Sequence, residues 1–131
     1  MKSSLLALAL LVASPSFAAD YQAPDLGEYF ASLMQPDNQN ASCCGYADAY
    51  QCTEDQDPDG ALVCVITDTR PDERRLPDGR LLTRPHREVG SRIRIPPQKI
   101  RKHPIPNPTE TAIVFVSISG VVYCYEPLAG I

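Results

Sequence analysis

The chain has 131 residues, with 13 prolines, five cysteines and no tryptophan, the size of one modest, loop-rich domain. Residues 20–69 hold ten acids and no lysine or arginine, whereas residues 70–103 hold eleven bases and four acids, so the net charge of −4 conceals two opposed blocks. No aromatic residue interleaves the basic block, which argues against a base-stacking nucleic-acid surface, and no apolar run approaches the roughly 20 residues of a membrane-spanning helix.

The chain opens on Met1-Lys2, followed by an apolar run over 5–12 and a helix-breaking Ser14-Pro15-Ser16. Small residues at Ser16 and Ala18 suit cleavage after Ala18. Residues 1–18 therefore read as a secretory signal peptide and 19–131 as a single small exported domain, periplasmic or secreted, with no transmembrane anchor after cleavage. In such an oxidising compartment, cysteines are read as disulfides before they are read as metal ligands.

Asp25 predicts a helix N-cap, with Glu28 three residues later. Leu26, Tyr29, Phe30, Leu33 and Met34 then fall on one helical stripe, and Gln35-Pro36 ends it. Residues 36–48 read as a polar loop carrying Cys43-Cys44-Gly45. Asp57-Pro58-Asp59-Gly60 and Leu76-Pro77-Asp78-Gly79 are turns of one type, with proline presetting φ and glycine accepting φ > 0. The first turn predicts a hairpin of 49–54 and 61–69; the second sits in a polar excursion over 70–87. Residues 89–95 alternate apolar with polar, a half-buried strand with its arginines on the wet face. Pro96-Pro97 ends it, 98–102 can make one helical turn, and 103–108 is a loop with three prolines. Two β-branched, aromatic-rich runs, 111–118 and 121–125, close the chain as a hairpin around Ser119-Gly120. The expected fold is α+β: an N-terminal helix packed on a small antiparallel sheet of about five strands, disulfide-stapled.

Cys52 and Cys64 lie five residues before Asp57 and four after Gly60, the placement of cross-strand or diagonal partners across the first turn. Cys124 pairs with Cys43 or Cys44, because adjacent cysteines bond only through a strained ring; the expected pair is Cys44–Cys124, with Cys43 the candidate free thiol. An odd thiol reads as a buried, inert group, an intermolecular disulfide, a redox site or a soft-metal ligand. No Cys-x-x-Cys supports redox chemistry, and His86 and His103 lie in proline-flanked loops.

Five segments carry a resemblance. They are Tyr29-Phe30-Ala31-Ser32-Leu33, Cys43-Cys44-Gly45-Tyr46-Ala47-Asp48-Ala49, Ile95-Pro96, Asn107-Pro108-Thr109 and Tyr123-Cys124-Tyr125-Glu126-Pro127. Together they resemble a family of small secreted bacterial proteins of unknown function, with a Cys-Cys-x-x-x-Asp-Ala segment and a final Tyr-Cys-aromatic-x-Pro strand. The resemblance spans most of the mature chain and implies a three-cysteine core, to which Cys52, Cys64 and the arginine-rich excursion are additions. It implies no activity.

Three further patterns carry candidate chemistry. Asp55-x-Asp57-x-Asp59-Gly60 matches the first half of a calcium loop, although Ile66 stands where the closing carboxylate belongs; no cofactor is expected apart from the calcium such a loop could take. Ser119-Gly120-Val121-Val122-Tyr123 resembles the Ser-Gly-x-x-Tyr motif of periplasmic lysozyme inhibitors. The basic block, with Arg84, Arg87, Arg92, Arg94, Arg101 and Lys102, either faces the acidic block or forms a surface for an anionic envelope component. No catalytic motif is legible. The resulting expectation is a non-enzymatic envelope module that binds an anionic component or another envelope protein. Tyr21, Tyr46, Tyr50, Tyr123 and Tyr125 are its candidate contact aromatics, and a thiol or soft-metal protein using Cys43 and Cys44 is the alternative.

Overall fold

The structure, a computed structural model, describes residues 27–102 and 109–128. The expected signal segment 1–18, Tyr21, Asp25, Leu26 and the expected loop 103–108 lie outside the described residues.

One short helix, α1 (Gly27–Ser32), precedes nine strands: β1 (Met34–Gln35), β2 (Asn38–Ser42), β3 (Asp48–Gln56), β4 (Leu62–Ile66), β5 (Glu73–Arg75), β6 (Leu81–Thr83), β7 (Arg92–Arg94), β8 (Ala112–Val116) and β9 (Val122–Glu126). Five of them form one antiparallel sheet in the order β7-β4-β3-β8-β9, and β1-β2 and β5-β6 are separate hairpins. The turn chemistry accounts for the connections. Gly60 and Gly79 both sit at φ 87°, each donating its N–H back three residues, to Asp57 at 2.8 Å and Leu76 at 2.9 Å.

Both faces of the central sheet are covered, and the two-residue period of the strands sorts the core between them. Ala49, Ile113, Phe115 and Cys124 face Phe30, Leu33, Cys43 and Cys44 from the helical side. Tyr50, Cys52, Cys64, Ile66, Val114, Val116 and Tyr125 form the opposite core. Strand β8 is buried along its whole length, which is why Ala112-Ile113-Val114-Phe115-Val116 is uninterruptedly apolar. Each of the large apolar side chains contributes on the order of 1.5–3 kcal/mol by leaving water.

Three expectations are corrected. The α+β description overstates the helix: α1 ends at Ser32, and β-structure dominates the described residues. The helix stops two residues short of Met34: Gln35, which precedes Pro36, is extended, and Met34 pairs with Ser42 in β1 instead of continuing the helix. Phe30 and Leu33 nevertheless pack on the sheet, while Met34 lies at the surface. The 36–48 segment is likewise not all loop, since Pro36-Asp37 turns the chain into β2.

The cysteine assignment changes as well. Cys52 and Cys64 are bonded as expected, diagonally across β3 and β4, with Cys52 opposite Ile66 and Cys64 opposite Glu54. Cys124, however, bonds Cys43, with their Cα atoms 5.4 Å apart, and Cys44 is the cysteine outside both disulfides. The backbone decides this. The Cys43 N–H donates to the Leu33 carbonyl at 2.9 Å, holding it under the sheet opposite β9, and the Ser42 hydroxyl accepts the Cys44 N–H at 3.0 Å. That bend turns Cys44 toward α1, where its thiol donates to the Phe30 carbonyl at 3.5 Å. At 2% exposure Cys44 resists alkylation in the native protein and takes up one label only after unfolding, which intact mass with and without denaturant will read.

Candidate functional site

Matching two-residue periods bring the acidic turn and the arginine strand together. Asp55 of β3 stands opposite Val63 of β4, and Val63 opposite Arg94 of β7, so all three side chains share one face. From there Arg92 reaches Asp55 at 2.6 Å and Asp57 at 2.9 Å, and Arg94 reaches Asp57 at 3.1 Å and Asp59 at 3.0 Å. The four contacts form a surface ladder that crosses β4 above the buried Val63. The hydrogen bond from Arg92 holds the Asp55 carboxyl below its usual range, and the Ala61 N–H followed by Arg94 does the same for Asp59. The three carboxylates of the candidate calcium loop are thus engaged by guanidinium groups.

On the opposite face a second arginine is enclosed. Arg84, just after β6, keeps only 2% of its side chain exposed. It donates to Asp68 at 2.8 Å, Asp72 at 3.1 Å, the Ala49 carbonyl at 2.9 Å and the Arg70 carbonyl at 3.1 Å. Its guanidinium carbon also lies 4.6 Å from the centre of the Tyr50 ring. Asp68 in turn accepts from Arg70 at 2.6 Å and from the Gln51 N–H at 3.1 Å. Burial alone pushes the Asp68 carboxyl up, but the Arg70 and Arg84 donors override it and hold the group far below the ordinary carboxylate range. The Tyr50 hydroxyl, raised to about 12 by burial and then by Asp48, stays protonated and donates to the Pro85 carbonyl. These contacts strap the 84–88 segment across the sheet.

The strap and the strand ends converge at one end of the sheet. Asp48 pairs with Val116, so Tyr46 emerges two residues before it beside the β8–β9 turn. Arg87 crosses to that turn, donating to the Ser117 carbonyl at 2.8 Å, and the Gly90 N–H fastens the end of the strap to Ile66 at 2.8 Å. Gly120 takes φ 91° and donates to the Ser117 carbonyl at 2.9 Å, which projects Ile118 outward. Four apolar side chains therefore stand in water at this end: Tyr46 at 89% exposure, Ile118 at 80%, Val89 at 57% and Val121 at 53%. The Cys43–Cys124 disulfide, Arg84 and Arg87 hold the loops that bear them.

The remaining candidates are dispersed. Arg101 is tied to the fully buried Glu126 at 3.1 Å, which also accepts from the Tyr29 hydroxyl at 3.3 Å. Lys102 is exposed, on the same segment as Arg101. Arg84, Arg92, Arg94 and Arg101 thus meet the chain's own carboxylates, so the opposed charge blocks pair within the fold and these arginines do not assemble into one outward basic face. Among the aromatic candidates Tyr46 is open to solvent, Tyr123 is half-buried, and Tyr50 and Tyr125 are enclosed. Sequence placed Val89 in the half-buried strand 89–95 and Ile118 in the strand 111–118; the structure corrects both, because β7 starts only at Arg92 and β8 ends at Val116, which leaves each side chain on a turn with nothing to pack against. No helix among the described residues is long and apolar enough to cross a membrane. Set beside known protein families, curated proteins and solved structures, the chain matches none of them.

Proposed function

We propose that the chain is an exported, non-enzymatic binding module of the cell envelope that docks on another envelope protein. The docking surface is the sheet end bearing Tyr46, Ile118, Val121 and Val89. The carrying observation is that these apolar groups are each exposed at the same end of the sheet, on loops pinned by a disulfide and by charge-assisted hydrogen bonds. Exposed apolar clusters mark interaction surfaces, and a tyrosine on a rigid mount loses little entropy when a partner covers it. The internal pairing of the arginines favours a protein partner over an anionic polymer. Two disulfides suit an oxidising compartment, which supports the exported reading. The exposed Ser119-Gly120-Val121 tip favours, as a second reading, a lysozyme-type hydrolase as that partner.

A photo-crosslinking residue placed at Tyr46 or Ile118, in cells producing the full chain, is expected to give a discrete protein adduct. The same group at Gln56, exposed at the far end of β3, gives none. Tyr46→Ala should weaken binding to the captured partner by roughly tenfold or more. Adducts of equal strength at Gln56, or none at Tyr46 together with pelleting on anionic vesicles at low salt, would overturn the protein-docking reading. Protection of cell walls against lysozyme, lost in Ile118→Ser, would establish the second reading.

A further inference from the structure

His86 lies on the strap, outside the apolar cluster, with carboxylates on both sides of its ring. Its Nδ1 is 2.6 Å from Asp72 Oδ2, and its Nε2 is 3.0 Å from Glu88 Oε1. A neutral imidazole carries one N–H, so it satisfies one of these oxygens and turns a lone pair on the other. Only the imidazolium donates to both. The two oxygens flank opposite ring nitrogens and do not converge on a point, so the arrangement suits a proton and not a shared metal ion.

We infer that His86 is a proton-operated clasp that fastens the strap when charged and releases its Glu88 end when neutral. Among the described residues, Asp72 and Glu88 contact the ring and Arg84 stands behind Asp72. Asp72, which precedes β5, also accepts from Arg84 at 3.1 Å; Glu88 belongs to the strap; and Arg84 is committed to Asp68 and Asp72. Because Asp72 is held in place by Arg84 and is the closer contact, the neutral ring keeps its proton on Nδ1 toward Asp72. Its Nε2 lone pair then repels Glu88. Hydrogen bonds from the ring to Asp72 and then Glu88 raise the histidine above its ordinary value. A raised group stabilises the clasped form fully below the unfolded value, and that contribution is lost as pH climbs through the folded value. The clasp therefore opens on the alkaline side. The residues it frees are the ones leading to Val89 and to Gly90, whose N–H bonds Ile66, and Ser91, whose N–H bonds Glu88 at 3.0 Å.

The inference does not depend on what docks at the sheet end, and one NMR series on the full chain tests it. His86 is expected to titrate above the ordinary histidine value, with His103→Gln used to assign the ring signals. Glu88→Gln should lower that midpoint, leaving Asp72 and the buried arginine network untouched. The protection of the Gly90 and Ser91 amides against hydrogen exchange, corrected for intrinsic rates, should fall about two- to fivefold across the titration, the scale of an exposed ion pair. That step should vanish in His86→Gln. A midpoint at or below the ordinary value, or a protection step that persists in His86→Gln, would overturn the clasp.

Discussion

Asp68→Asn is expected to lower the free energy of unfolding by about 3–5 kcal/mol, read by chemical denaturation. The carboxylate is fully enclosed and balances Arg84, which is itself only 2% exposed. Removing the negative charge leaves a guanidinium in a low-dielectric site with one carboxylate fewer, and it also removes acceptors from the Arg70 side chain and the Gln51 N–H. The pH dependence carries the same signature. Because the native carboxyl is held below the unfolded value near 3.9, its contribution is complete above that value and is withdrawn as pH falls. Wild-type stability should thus decline steeply below about pH 4, and the Asn variant should show a flatter acid limb. A loss under about 1 kcal/mol would mean that the network is solvated and adds little.

Cys124→Ala is expected to cost about 4.5 kcal/mol, and Cys52→Ala about 3, if stabilisation follows the chain segment each bridge closes. The bridges span 81 and 12 residues. The larger effect also has a packing component, since Cys124 and Cys43 sit at 0% exposure between Phe30, Phe115 and Ala49. Unfolding of both variants against the oxidised parent gives the comparison. Equal losses would show that the loop-entropy ranking does not govern this fold.

Features encoded within a few residues were legible in the sequence. Asp57-Pro58-Asp59-Gly60 and Leu76-Pro77-Asp78-Gly79 specify their own turns, so the first hairpin and its Cys52–Cys64 bridge followed directly. Ser119-Gly120 likewise set the closing hairpin. What escaped depends on contacts distant in sequence. Asn38-Gln39-Asn40 has little intrinsic preference for strand, and it pairs only because Met34 and Gln35 lie alongside. Nothing local separates Cys43 from Cys44; a hydrogen bond from Cys43 to Leu33, ten residues back, does. Arginine reads as a surface residue, and the burial of Arg84 becomes apparent only once Asp68, Asp72 and the Ala49 carbonyl are assembled around it. The Asp55–Asp59 and Arg92–Arg94 alternations were each visible, but their meaning lay in a shared register across β4, which neither segment specifies alone.

That ladder also bears on how the molecule behaves in a crowd of its own copies. Strand β7 ends the sheet, and a terminal strand offers its outer backbone to any extended chain that drifts past. Here the strand is three residues long, and two of the three carry guanidinium groups. Each is paired inward with carboxylates of β3 and its turn. A second β7 approaching edge to edge would set arginine against arginine, so this edge of the sheet is guarded against strand addition.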